Sequence, residues 1–429
     1  MSFKNIFLVL LIVSSCQGQQ QNKTNNSITI TANNEVIFKK KNPDIDSVSA
    51  FTKKKTELIP VGDSANAFFD VDKDGDQDLI ISGYTNSPEN LKTVTRLYIN
   101  DGTGNYTHDK RSVFSGVEYG GIDVADIDND NDFDIILTGQ QLENKRLNIE
   151  ETNAVKLYIN NNGVFKEDSH FELNKIYWGT VKFCNFNRDT HKDLLVIANN
   201  FSEIFTNQNS ELILEKNINL EKLYDPIVAV FDMDKDLDDD IVIQGTVDEI
   251  NPRTIVYENR SGQFISKKHN FFPATQGILK AEDIDNDGDK DLFISGAYMP
   301  DENTTKMKSL FYINDGKGNF KETDTEVIGY NMGNLVFADI DNDNDKDLII
   351  TGNRIFDEDY DSNEGTDIYL NDGKGYFTLY KKAALDFYSQ HSINVADIDG
   401  DGDQDVLLTG YYKEDIPTTT IYINNHITP

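Results

Sequence analysis

The sequence is poor in cysteine, tryptophan, cationic residues and long apolar runs. Cys16 and Cys184 are its only cysteines and Trp178 its one tryptophan. With Cys16 assigned to another role below, no intramolecular disulfide is expected. Lys and Arg total 40 against 74 Asp and Glu, a formal charge of −34. That imbalance disfavours nucleic acid and anionic membrane surfaces, whose phosphates would be repelled, and favours cations or cationic partners. The apolar run Ile6 to Val13 is too short to span a bilayer, and no other stretch is apolar enough. No P-loop or nucleophile motif occurs. So acidic a chain raises the question of disorder. However, 38% hydrophobic and 10% aromatic residues can build a core, and the acids are clustered rather than spread.

The N-terminus reads as an export signal. Lys4 precedes the apolar run, which ends in Val13-Ser14-Ser15-Cys16. This resembles a bacterial lipobox, cut before a cysteine that is then lipidated; the alternative is a conventional signal peptide. The expected organisation is a signal at 1–15, a flexible Gln/Asn/Thr/Ser-rich tether at 16–34 and one folded domain at 35–429. The expected location is the bacterial cell envelope, with Cys16 as lipid anchor.

What the chain has in abundance is repetition. Asp70-Val71-Asp72-Lys73-Asp74-Gly75-Asp76-Gln77-Asp78 runs into the apolar stretch Leu79-Ile80-Ile81. The pattern restarts at Asp126, Asp232, Asp283, Asp339 and Asp397, with a weaker copy at Asn185. A second motif follows each copy, as in Leu97-Tyr98-Ile99-Asn100-Asp101-Gly102 and Phe311-Tyr312-Ile313-Asn314-Asp315-Gly316. Each unit then holds four short strand signals, the last two joined by an Asp-Gly-type turn. Such units cannot bury both faces alone and must stack. The expected fold is all-β, a seven-bladed β-propeller with four antiparallel strands per blade. The seventh copy ends after its third strand, Ile421-Tyr422-Ile423-Asn424. Asn34-Glu35-Val36-Ile37-Phe38-Lys39 resembles the fourth-strand segment Asn162-Gly163-Val164-Phe165-Lys166. An N-terminal strand from that segment is therefore expected to complete the last blade and close the ring; an open solenoid would need no complementary ends.

Repeated between strands, Asp-x-Asp-x-Asp-Gly-x-x-Asp resembles the FG-GAP/VCBS repeat family, the integrin-α-like propellers, over roughly residues 35 to 425. Carboxylates at alternate loop positions repel one another unless a cation sits among them. All-oxygen ligands without His or Cys suit Ca²⁺. The candidate ligands in the first loop are Asp70, Asp72, Asp74 and Asp78, with the backbone carbonyl of Asp76. By position the second loop offers Asp126, Asp128, Asp130, Asp132 and Asp134, and the fourth Asp232, Asp234, Asp236, Asp238 and Asp240. The fifth offers Asp283, Asp285, Asp287, Asp289 and Asp291, and the sixth Asp339, Asp341, Asp343, Asp345 and Asp347. The seventh offers Asp397, Asp399, Asp401, Asp403 and Asp405. Five to six Ca²⁺ sites are expected, in a structural role. Leu237 replaces the turn glycine of the fourth loop and puts its geometry in doubt, because a left-handed Leu is costly. The third loop, Asn185, Asn187, Asp189, Thr190, His191 and Asp193, has lost charges and glycine and is expected to bind weakly or not at all. An EF-hand is excluded, because loop position 12 is apolar in every copy (Ile81 and Leu137, for example).

The Asp loops and Asp-Gly turns share one face of the expected ring. The opposite face carries the long, dissimilar stretches Tyr84 to Arg96, Gln140 to Lys156 and Asn353 to Thr366, read as loops, together with the tips that lead into each first strand. Tip residues Glu118, Tyr119, Tyr177, Trp178, Tyr224, Asp225, Gln276, Gln390 and His391 are the candidate ligand-binding set, expected round the mouth of a central channel. Aromatics among acids and amides suit a glycan or protein ligand, although the same aromatics would serve equally as channel packing. The expected function is a calcium-stabilised, monomeric binding or adhesion module that does not bind nucleic acid. The alternatives are a carbohydrate-active enzyme, since some such propellers resemble polysaccharide lyases, and a scaffold component of an envelope complex. Only His391 and Tyr388 form a His/Tyr pair near a tip, and the tips offer no Arg, which disfavours an acidic-polymer lyase.

Overall fold

Each of the apolar runs that leave the acidic loops becomes the second strand of a four-stranded antiparallel sheet. In the computed structural model there are seven such sheets, arranged as a ring. The structure describes residues 26–30, 36–40 and 50–425, apart from 88–89, 146–147, 172, 174–175, 177–178, 249–250, 302–303, 324, 326, 356–361, 384 and 413–414. The first strands of blades 1 to 7 are Gly62–Phe69, Ile122–Ala125, Gly179–Cys184, Tyr224–Phe231, Thr275–Glu282, Tyr330–Ala338 and Ser389–Ala396. They neighbour one another round the ring, and the first strand of blade 7 meets that of blade 1. The protein is an all-β, seven-bladed β-propeller with no helix among the described residues.

Seven cores, one between each pair of blades, replace a single centre. Leu79, Ile80 and Ile81 are wholly buried, yet alternation divides them. Ile80 packs with Ile135 and Leu137 of blade 2, while Leu79 and Ile81 pack with Ile398 and Leu407 of blade 7. This explains why the second strands read as unbroken apolar runs: both faces of each sheet are covered.

The ring closes through an N-terminal strand, but not the expected one. Phe51–Lys54 pairs antiparallel with the third strand of blade 7, Phe51 opposite Asn424 and Lys54 opposite Ile421. Val36–Lys40 pairs instead with Asn26–Ile30, inside what was expected to be tether. The β-branched run Ile28-Thr29-Ile30 suits a strand. The ring unit accordingly spans residues 49–429, and residues 1–48 form a separate unit. Phe51 is the better fourth-strand residue because it fills the core between blades 6 and 7, and Asn425 N–H bonds the Ala50 carbonyl at 2.8 Å.

Strand alternation puts the acidic loops and the third-to-fourth turns on one face and the tips on the other. The long dissimilar stretches are hairpin ends rather than loops. Asp78–Ser87 pairs with Asn90–Ile99, Asp134–Lys145 with Asn148–Asn160, and Asp347–Ile355 with Ser362–Leu370. Ladder hydrogen bonds continue along them, so they project as strands.

Candidate functional site

The ninth residue of every acidic loop is a fully buried aspartate that begins the second strand. Asp78 accepts the Val71 N–H at 2.9 Å and the Asn100 N–H at 2.8 Å. The same two bonds recur at Asp134, Asp193, Asp240, Asp291, Asp347 and Asp405. Burial pushes these carboxyls up to about 7, and Asp193 to about 6, against the pull of the two N–H donors.

The first and fifth positions close the turn. Asp70 accepts the Gly75 N–H at 3.1 Å and Asp74 accepts the Asp76 N–H at 3.0 Å. The third position leaves an oxygen unsatisfied in four loops. The Oδ1 atoms of Asp128, Asp234, Asp341 and Asp399 are buried with no hydrogen-bond partner. Burial and the neighbouring carboxylates raise the pKa of all four, that of Asp341 to about 6. Carboxylate oxygens from positions 1, 3 and 9 lie within 4.8 Å of one another in loops 1, 2, 4, 5 and 6. Orphaned buried oxygens converging without a nitrogen or sulfur donor fit a hard cation.

The seventh-position side chains turn towards the preceding blade. Lys73 of blade 1 meets Asp132 of blade 2, Arg188 meets Asp238, Lys235 meets Asp289 and Asn342 meets Asp403. Asp76 and Asp345 occupy the same position; burial raises both, Asp345 to about 7.

The fourth loop overturns one expectation. Leu237 adopts φ 77°, as Gly75 adopts 95°, and its N–H bonds Asp232 at 2.9 Å. With its side chain 75% exposed, nothing clashes, and the cost is only the intrinsic one, about 1–2 kcal/mol. Asn131 and Asn344 take the same conformation. The third loop does diverge. Thr190 is not left-handed, and asparagines stand at the first and third positions, while Arg188 makes the same contact to the next blade as Lys73 and Lys235.

The Tyr-Ile-Asn motif proves to be a staple between blades, a role that sequence reasoning missed. The Nδ2 of Asn100 donates to the Ile398 carbonyl of blade 7. Asn207, Asn259, Asn314, Asn371 and Asn424 reach the preceding blade in the same way, all at 2.7–2.9 Å. The signal was present: asparagine occupies this position in all seven copies, even where the tyrosine is lost, as at Phe205-Thr206-Asn207.

On the opposite face the expected tip residues separate into groups. Asp63, Tyr119, Met332 and His391, from blades 1, 2, 6 and 7, line a cavity of about 240 Å³ at the ring centre. The Tyr411 hydroxyl donates to Asp63 at 2.7 Å, and burial lowers His391 to about 4. Glu118 is buried, its backbone paired with Gln140. Tyr388 is buried in the core between blades 6 and 7, with its hydroxyl 2.8 Å from Thr420, so it does not join His391 at the mouth. Tyr224 is 44% exposed. Cys16, Tyr177 and Trp178 lie outside the described residues, as does the Gln390 side chain. Asp225 and Gln276 instead line a second and larger groove, of about 680 Å³, with Gln244, Asn251, Phe272, Tyr298 and Lys308 of blades 4 and 5. Phe272 and Tyr298 meet edge to face at 5.1 Å. Sequence reasoning missed these partners because Gln244, Asn251, Tyr298 and Lys308 belong to second-to-third-strand hairpins and Phe272 precedes the tip that carries Gln276.

Seven blades, each carrying an acidic or relic-acidic loop on the same face, define the molecule as a repeat β-propeller whose acidic loops could hold metal ions. Sequence comparison points the same way. The FG-GAP-like repeat model matches residues 70–137 and 283–350, so the chain carries FG-GAP-like repeats in blades 1 to 2 and 5 to 6. No curated protein matches it. Among solved structures it is similar to an Agrocybe aegerita lectin described as specifically recognising non-reducing terminal N-acetylglucosamine. Identity is 17%, with a TM-score of 0.53 over 76% of this chain and 81% of that one. At that identity the likeness is one of fold.

Proposed function

We propose that the protein is a calcium-stabilised binding module that recognises a glycan on the face opposite the acidic loops. The observation that carries this reading is the groove between blades 4 and 5. It combines two aromatic rings with the amides of Gln244, Asn251 and Gln276, the carboxylate of Asp225 and the ammonium of Lys308. Sugars stack on aromatic edges and faces and hydrogen-bond at their rims. Strands hold Asp225, Gln244, Gln276, Tyr298 and Lys308, which favours recognition of a preformed shape. The lectin's described specificity is in keeping with a carbohydrate ligand. Ca²⁺ at five to six loops, held by the aspartates at positions 1, 3, 5 and 9, would neutralise buried carboxylates and brace the ring in place of disulfides.

Lipidation at Cys16 and attachment to the bacterial envelope are part of the same proposal, supported by the run Ile6 to Ser15 that precedes the cysteine. A glycan array probed with the protein in calcium, followed by titration of any hit, tests the binding reading. Tyr298→Ala is expected to weaken binding roughly tenfold or more. Full binding by Tyr298→Ala, or an array without hits, rejects it. Cys16→Ser is expected to move the protein from the membrane to the soluble fraction and to abolish palmitate labelling.

A further inference from the structure

The acidic face is not uniform, and its exception coincides with a groove. Where the third loop has lost its ligands, a groove of about 1210 Å³ opens between blades 3 and 4. We propose that this groove is a second binding site, on the cation face, for a neutral saccharide. The site would arise where a metal loop was given up.

The third loop keeps the backbone hydrogen bonds of the acidic loops although it lacks their carboxylates at positions 1 and 3. Asp193 is held by the Phe186 and Asn207 N–H groups, and Asp189 accepts the His191 N–H at 2.7 Å. Arg188 leaves the loop for Asp236 and Asp238, so its charge is spent on blade 4 rather than offered to a ligand. The groove floor is apolar, with Ile204, Ile218 and the edge-to-face pair Phe186 and Phe264, whose rings lie 5.0 Å apart. The rim carries the carboxamides of Asn187, Gln208, Asn217 and Gln263. Lysine and arginine are absent from the lining, which disfavours an anionic ligand. Glu215 accepts the Thr206 hydroxyl at 2.7 Å, and the first and third loop positions are the neutral amides Asn185 and Asn187, so the carboxylates that a cation would need beside Asp189 are missing. A carboxamide offers a donor and an acceptor side by side, as neighbouring sugar hydroxyls require, and an apolar floor matches the C–H face of a pyranose. This argument is independent of the groove on the opposite face.

A site-resolved experiment tests it. The full-length protein, in calcium, is photolabelled with diazirine derivatives of glucose, galactose, N-acetylglucosamine and their β-linked trisaccharides, and the labelled peptides are mapped. Labelling is expected within residues 186–219 and 260–265, to be competed by the unmodified sugar, and to fall about tenfold in Gln263→Ala, the loss of one good hydrogen-bonded contact. As a second variant, Asn185→Asp, Asn187→Asp, Thr190→Gly and His191→Asp together rebuild a metal loop. This variant is expected to gain one bound Ca²⁺ and lose the label. Labelling confined to residues 244–252 and 272–298 overturns this proposal and leaves the other groove standing. No labelling, or labelling that a peptide library competes and sugars do not, overturns it as well.

Discussion

The third and fourth loops both break the repeat, and they break it in opposite ways. The fourth lost its glycine and kept every carboxylate; Leu237 takes the left-handed conformation and the position 1, 3 and 9 oxygens still converge. The third kept the buried Asp193 and the Asn207 staple and lost the carboxylates of positions 1, 3 and 7. The pair separates two functions that the intact loops merge. Position 9 and the third-strand asparagine build the blade, whereas positions 1, 3 and 5 build the cation site. A blade survives without carboxylates at positions 1 and 3.

Metal removal should have the largest effect, and should act through every loop but the third. At a dissociation constant of roughly 10⁻⁴ M, millimolar Ca²⁺ stabilises the fold by about 1.4 kcal/mol per site. Thermal unfolding with and without EDTA checks this, and an unchanged melting curve would remove the cation reading altogether. The pH dependence of the chelated protein comes next. Burial holds Asp240 at about 7 and Asp193 at about 6, above the ordinary value of about 3.9. From about pH 4 to 7 the folded state therefore binds more protons than the unfolded state, and stability falls as pH rises. Metal-free protein should melt higher at pH 5 than at pH 8, and added Ca²⁺ should flatten or reverse that slope.

Asp193→Ala should cost about 3 kcal/mol even in EDTA, because two buried N–H groups lose a charged acceptor, whereas Asp189→Ala should cost under about 0.5 kcal/mol. Equal, small losses in unfolding midpoint would break the division between blade-building and ion-holding positions. Bound-ion counting sharpens it: Asp234→Ala should remove one Ca²⁺ by elemental analysis, and Asn187→Ala none. The smallest effect concerns the backbone. Leu237→Gly should raise stability by up to about 1 kcal/mol by relieving left-handed strain. Thr190→Gly should lower it by a similar amount, since that residue is not left-handed and only unfolded-state entropy changes.

Spacing and residue type alone determined the seven repeats, the four strands in each, the ring and the acidic loops, because each of these depends on local periodicity and on like charges that cannot crowd together unaided. Some features were readable but misread. Val36-Ile37-Phe38-Lys39 and Phe51-Thr52-Lys53 both look like a fourth strand, and the choice between them rests on which aromatic fills the cavity between blades 6 and 7. Tertiary structure alone decided that choice, the direction of the seventh-position side chains, and the grooves, which gather side chains from two neighbouring blades. Leu237 marks the boundary: its intrinsic preference argued against the turn, and ladder bonds on either side of the loop imposed it. Sequence fixes what each repeat can form by itself, while contacts between repeats decide which surfaces meet, because every core in this molecule lies between two blades and none lies within one.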